Sequence, residues 1–293
     1  MSTAPASVMP GSEPAPRDTL ASLRAELDDI DAAMHDLLMR RAAVVERVAA
    51  LKGGGIALRP GREAQIIRRL LARHAGHLPA HSLVRIWREL LAGTCAIQGN
   101  FAIAACDAEQ DGGLVQLARE QFGVLTPLRH HRSPAQALAE VSAGSAALAV
   151  LPMPAEEEPV SAAWWRALLH RDEPRIHVVA RLPFWTKRPE GAPRAQALVA
   201  AAVAPDPSGD DRSLLGLELS PDMSRARLAA ALTTAGFGAA QVLLRRDGGT
   251  ALALVDVPGW VGDDDPRLAL ITPLLRPVVV LGAYAVPLGG DPS

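Results

Sequence analysis

From Asp18 to Lys52 the chain runs without a proline or a glycine, and this stretch constrains the rest. Its apolar residues fall at Leu20, Leu23, Leu27, Ile30, Met34, Leu37, Val44, Val48 and Leu51, mostly three or four apart. That spacing lines one face of a helix. Asp18 stands where an N-cap is expected, and Gly53 to Gly55 stand where a helix stops. At 1.5 Å per residue the rod is ~50 Å long. One small domain does not cover an apolar stripe of that length, so the stripe calls for a second copy of the helix.

Three cations on the rod are candidate ligands for an anion. Arg41 and Lys52 project within about 20° of each other and lie ~16 Å apart along the axis, a gap two long side chains narrow to the size of a small dianion. Arg24 is ~42 Å from Lys52 and shares no site with it on one helix. In an antiparallel pair, Arg24 of one copy approaches Arg41 and Lys52 of the other, and a two-fold dimer holds two mixed sites. The alternative is that all three are surface cations of a solvated helix.

Two more helices follow. Pro60 to Arg73 is amphipathic, with Ile66, Ile67, Leu70 and Leu71 inward and Arg62 and Glu63 in its first turn. Pro79 to about Gln98 is a third, with Leu83, Ile86, Trp87, Leu90, Leu91 and Ile97 expected to be buried. Thr94 and Gln98 share a face of it. Over residues 17–100, these helices and their polar set resemble the all-helical class of chorismate mutase. Arg24, Arg41, Lys52, Arg62, Glu63, Thr94 and Gln98 fall where that family keeps active-site residues. Thr94 stands where a Ser is often found, and Arg59 where some members have an Asp on the substrate hydroxyl.

The resemblance implies an all-α, three-helix domain paired as an intertwined homodimer, with chorismate as substrate and no cofactor or metal. The implied reaction is the rearrangement of chorismate to prephenate in shikimate-derived phenylalanine and tyrosine biosynthesis. Such a pericyclic step needs no nucleophile or general base, only selection of a compact chair and stabilisation of charge on the breaking ether. On the matched positions, Arg41 and Arg24 of a second copy hold the carboxylates, and Lys52 and Gln98 donate to the ether oxygen. Glu63 accepts the hydroxyl with Arg62 beside it, and Thr94 lines the pocket. Lys52, Gln98, Arg41 and Glu63 form the catalytic set. The first 105 residues are then expected to act alone as a dimer. Two alternatives stay open: an isochorismate pyruvate-lyase-type activity on the same cations, and a non-catalytic dimerising module.

At 293 residues the chain has room for two or three domains. An apolar content of 49% suffices for cores, and a net charge of −2 gives no reason to expect nucleic acid or membrane partners. Cys95 and Cys106 form no metal or redox motif, which suits a reducing compartment. Residues 1–16, MSTAPASVMPGSEPAP, read as a disordered tail rather than a signal, and the expected location is cytoplasmic.

Beyond Gln98 the pattern alternates. Strand-like runs at Phe101–Ala105, Ala147–Met153, Ile176–Arg181 and Ala197–Ala204 are interleaved with helical runs at Gly113–Gly123, Ser133–Gly144 and around Ala162–His170. That order suggests an α/β layer with a mainly parallel sheet. The linker PDPSGDD then marks a boundary. The order, with VSAGSAALAVLP, resembles a prephenate dehydratase domain, a periplasmic-binding-like α/β fold and the usual fusion partner of this mutase. Its catalytic motifs are replaced: CDAEQDGG stands for Gly-Pro-x-Gly-Thr, MPAEEE for Glu-Asn-Ser and AQALVAA for Thr-Arg-Phe. A degenerate, inactive domain over 101–208 is expected, against the alternative of a bifunctional mutase–dehydratase.

The tail gives strand, helix, strand, strand, helix, strand at Asp211–Leu219, Ser224–Phe237, AAQVLLRRD, Ala251–Gly259, Pro266–Leu275 and Val278–Pro287. With Leu281 to Tyr284 as its Leu-Gly-x-Tyr finish, residues 209–288 resemble an α+β ACT domain. Pro221–Ser224 and Leu243–Arg246 replace its ligand signatures, so a structural role is expected. Elsewhere, His74, His77 and His81 read as solvated histidines rather than metal ligands. Asp263–Asp265 reads as a solvated loop, and Trp164, Trp165 and Trp185 as packing residues.

Overall fold

The computed structural model describes residues 18–52, 55–99, 101–107, 112–158, 162–188, 190–247 and 249–289. The expected tail at 1–16, Gly53 and Gly54 lie outside them. The chain divides into two compact units, Met1–Leu51 and Lys52–Ser293.

Among the described residues the first unit is the helix α1 (Leu20–Lys52), whose last residue opens the second unit. Its cap is one residue later than expected. Thr19 Oγ1 accepts from Ser22 N at 3.1 Å, and Ser22 Oγ accepts from Thr19 N at 3.0 Å. This reciprocal pair satisfies the backbone amides of Thr19 and Ser22 and takes the capping role expected of Asp18. All nine residues of the apolar stripe are exposed.

The second unit continues with α2 (Pro60–Arg73) and α3 (Ala80–Gln98). Proline at the first position suits α2, because that amide has no intrahelical partner. On α3, Leu91 is buried as expected, but Ile86 and Ile97 are 47% and 45% exposed, while Arg88 is 4% exposed. The inward face of α3 therefore carries a charge where only apolar residues were expected. Ala64 and Ile67 of α2 pack with Phe184 and Ala285, whereas Cys95 of α3 joins the core that holds Phe101, Leu117 and Leu148.

A nine-stranded sheet forms the body. Its strands are β1 (Ile103–Cys106), β2 (Leu128–His131), β3 (Leu148–Pro152), β4 (His177–Leu182), β5 (Ala197–Ala201), β6 (Asp211–Leu219), β7 (Gln241–Asp247), β8 (Thr250–Pro258) and β9 (Val279–Ala285). Their order is β2-β1-β3-β5-β4-β9-β6-β8-β7, so one sheet crosses the linker read as a boundary. β1 runs parallel to β2 and β3, but β5 runs antiparallel to both β3 and β4. This corrects the mainly parallel expectation. The described residues between β4 and β5 contain no helix, and without a crossover the chain has to return antiparallel.

Helices α4 (Gly113–Phe122) and α5 (Pro134–Ser142) cover opposite faces of β1: Ile103 and Ala105 share a core with Leu117, Ala104 and Cys106 with Leu138. The runs expected as helices near Ala162–His170 and Pro266–Leu275 are 3-10 turns, Trp164–His170 and Pro266–Leu270. The second is ended by Ile271, whose backbone is extended with φ −75° and ψ 108°. With α6 (Arg225–Thr234), strands β6 to β9 make a βαββαβ run ordered fourth, first, third, second. It joins the rest of the sheet through one parallel ladder pair, Val178 with Gly282, and an isolated bridge of Trp185 with Leu288. No helix among the described residues is long and apolar enough to cross a membrane.

Candidate active site

The first turn of α2 is held from far along the chain. Arg59 precedes it and gives no side-chain cap. Instead Asp206 accepts from Gly61 N, Arg62 N and Arg59 Nε, each at 3.1 Å. A carboxylate suits that position, because the first backbone amides are unpaired and carry the positive end of the helix dipole. A Cβ on Gly61 would lie 2.1 Å from the Asp206 carbonyl oxygen, so only glycine allows the approach. The following residues continue the attachment. Gln65 Nε2 donates to Pro207 O at 3.1 Å. Arg68 donates to Ser208 Oγ, Asp210 O and Val286 O, each at 2.9 Å.

In the same turn, Glu63 is 7% exposed, and Arg88 Nη1 donates to its Oε2 at 3.0 Å. The Arg88 guanidinium lies 5.2 Å from the centre of the Phe184 ring, and that of Arg68 lies 5.8 Å from it. Gln121, with its amide oxygen turned toward Arg88, accepts from Nη1 at 2.8 Å. Burial pushes the Glu63 carboxyl above its ordinary range, Arg88 opposes the shift and the charge of Asp206 adds to it. Burial lowers the Arg88 pKa, and Glu63 opposes that. Loss of either partner leaves a buried charge uncompensated, which costs ~3–5 kcal/mol.

Thr94 and Gln98 are tied to their own helix. Thr94, 6% exposed, donates from Oγ1 to Leu91 O at 2.8 Å, and Gln98 Nε2 donates to Thr94 O at 3.0 Å. A carboxamide nitrogen has two protons, so one donor of Gln98 is left for a ligand. Gln98 lines a cavity of about 290 Å3 with Ala57, Cys95 and Phe101. Arg62 is exposed and donates to Gln65 Oε1 at 3.2 Å. Arg24, exposed, and Arg41, half-buried, belong to the first unit. Lys52 ends α1, and its side chain lies outside the described residues. The second unit thus places Arg59, Arg62 and Glu63 on one turn, with Thr94 and Gln98 on the neighbouring helix.

Two residues of this cluster are absent from the sequence reading. Asp206 carries no local signal, since its partners are about 145 positions away. Arg88 does have one: it falls in register with Val84, Leu91 and Cys95, the spacing of the inward face. The other candidates settle differently. Asp263 is exposed, as a solvated loop requires, and is also ion-paired: Arg175 Nη2 donates to it at 3.0 Å, and that bond holds its carboxyl below the usual range. Trp164 is packed, with Nε1 donating to Pro152 O at 3.0 Å, and Trp165 is 1% exposed. His77 and His81 are exposed, in the turn before α3 and in its first turn.

The family description chorismate mutase type II matches residues 23–99. A bifunctional chorismate mutase/prephenate dehydratase of Neisseria gonorrhoeae is 36% identical over 81 residues, covering 28% of this chain and 22% of that protein. One of Pseudomonas aeruginosa is 28% identical over 150 residues, covering 47% of this chain and 40% of that protein. The chain therefore spans well under half the length of these curated relatives. A solved prephenate dehydratase from Arthrobacter aurescens, in complex with L-Phe, covers 63% of this chain and 89% of its own, with a TM-score of 0.46 and 13% identity.

Proposed function

We propose that the chorismate mutase type II domain at residues 23–99 converts chorismate to prephenate, as an isomerase of aromatic amino-acid biosynthesis. The observation that carries this is the match over 23–99, because Arg24, Arg41, Lys52, Arg62, Glu63, Thr94 and Gln98 all lie inside it. The working unit is an antiparallel homodimer through α1. Fully burying an exposed large aliphatic side chain contributes ~1.5–3 kcal/mol, and the stripe residues are about half exposed, so the stripe offers on the order of 10 kcal/mol per copy and ~20 kcal/mol for the pair. Association costs ~4–15 kcal/mol, which that burial exceeds.

In this site Arg41 and Arg24 of the second copy grip the two carboxylates by their planar forks. Lys52 and the free donor of Gln98 meet the ether oxygen as charge develops there. Glu63 accepts the substrate hydroxyl, and Arg88 keeps it ionised and fixed. Arg62 assists at that end, while Thr94 lines the pocket. Arg59, bound to Asp206, stabilises the turn rather than the substrate. Residues 101–208 and 209–288 serve as a dehydratase-like and an ACT-like segment without dehydratase catalysis, since the motifs for that chemistry are replaced.

Incubation of the pure protein with chorismate tests the reading, following loss of its absorbance and the identity of the product. Prephenate is expected. Released pyruvate would assign the lyase chemistry, phenylpyruvate above a buffer control would assign dehydration, and unchanged chorismate would remove the proposal. Lys52→Ala is expected to lower turnover by ~10²–10³, or ~3–4 kcal/mol, since it removes a donor to developing charge. Lys52→Arg should not restore it, because a planar fork replaces a compact point charge.

A further inference from the structure

The second unit holds another cavity, of about 370 Å3, where α3, α4 and the stretch after β4 meet. An apolar cavity of ~150 Å3 accepts benzene. This one has room for a six-membered ring and a short chain, and it falls within the size range of small-molecule sites. Leu117, Phe184 and Trp185 supply apolar wall, and Arg85, Arg88 and Lys187 supply cations. Of the remaining charges, Arg188 pairs with Glu120, and Glu190 is the second carboxylate of the lining. With Arg88 paired to Glu63 and Arg188 to Glu120, Arg85 and Lys187 face the single carboxylate of Glu190 beside an aromatic wall.

We propose that this cavity binds a small organic acid carrying one ring, and that its occupancy is felt at Glu63 through Arg88. The second clause rests on the mutase reading; the first does not. Arg88 belongs to both places, since it lines the cavity and its Nη1 donates to Glu63. A carboxylate entering beside Arg85 and Lys187 competes for that guanidinium. Glu63, buried, then loses its counter-charge, and its ionised form is disfavoured. The acid is therefore an inhibitor acting from outside the substrate site.

The probe is 3-phenylpropionate, with 3-phenylpropanol as its neutral isostere, titrated calorimetrically into the full-length protein. The acid should bind saturably, and the alcohol at least about tenfold more weakly, the difference a charge-assisted hydrogen bond makes. Arg85→Ala and Lys187→Ala should each weaken the acid severalfold. Gln116→Trp, at an exposed α4 position on the cavity wall, should block it while the protein stays folded by circular dichroism. Saturating acid should slow chorismate turnover without being displaced by chorismate. Absence of saturable binding, equal binding of acid and alcohol, or binding untouched by all three variants would overturn the site. Binding that meets these tests but is competitive with chorismate, or leaves turnover unchanged, would overturn the coupling alone. A protein inactive on chorismate would sink the mutase reading while the titrations still decide the site.

Discussion

Helices α1 and α2 carry the same kind of apolar stripe and meet opposite environments. On α1, Leu27 is 60% and Leu37 63% exposed; on α2, Ile67 is fully buried and Ala64 nearly so. The cover over α2 comes from elements far along the chain, Phe184 and Ala285, and its first turn is held by Asp206. Neighbouring helices within one matched family segment thus draw stability from different sources. One is completed by its own chain, and the other leaves its apolar side exposed.

The most severe way to break that contrast is to cut the chain after residue 105. The sequence alone suggests a self-sufficient dimer, but the cut removes the partners of Ile67, Ala64 and Cys95. The fragment is expected to lose cooperative unfolding; a sharp thermal transition with full mutase turnover would show that α2 and α3 need no body. Ile67→Ala should cost the full-length protein ~2–5 kcal/mol in denaturant titration, the range for truncating a buried aliphatic side chain. Asp206→Ala should cost less, ~0.5–2 kcal/mol, as loss of a helix cap does.

Asp206→Asn separates charge from capping. Glu63 titrates above its ordinary 4.5, so above that value the folded chain retains a proton the unfolded chain has lost, and stability falls as pH rises through the window. Removing the Asp206 charge lowers the Glu63 pKa. The acid limb of the turnover–pH profile should therefore move to lower pH, and a limb that stays put would break the link between Asp206 and the site. The smallest effect is expected for Leu37→Ala. Unfolding of the dilute chain should change by less than ~0.5 kcal/mol, as at other exposed positions, while self-association weakens. A loss as large as that of Ile67→Ala would mean the α1 stripe is already covered.

What the sequence made legible follows from the range of each interaction. Helix α2 and strand β6 match their expected bounds, since periodicity and proline placement are local signals. Strand β2 was missed because Leu128–His131 is a polar edge with no alternation to read. The parallel expectation failed at β5, where connector length mattered more than apolar content. In the candidate site, the partner of Glu63 leaves a trace in the sequence, because Arg88 keeps the register of the inward face. Arg88 sits inside an apolar stripe, where a charge is admitted only if a facing helix supplies the opposite one. Asp206 is hidden by a linker composition that suggests separation, although it accepts three hydrogen bonds from the start of α2.

Gly282 carries a consequence for how such a chain can be inherited. Its φ is +142°, and a Cβ there would lie 2.0 Å from Val178 O, so a side chain would force β9 away from β4. The nine strands are a five-stranded and a four-stranded sheet fastened at this residue and at Leu288. Recombination exchanging residues 209–288 would have to preserve this glycine and the bridge, together with the face that Leu214, Leu254 and Leu281 share with Trp165 and Leu168 and the seat of Ala285 on α2. The tail is then exchangeable only together with the surface it packs against, and the joint is where a graft would fail first.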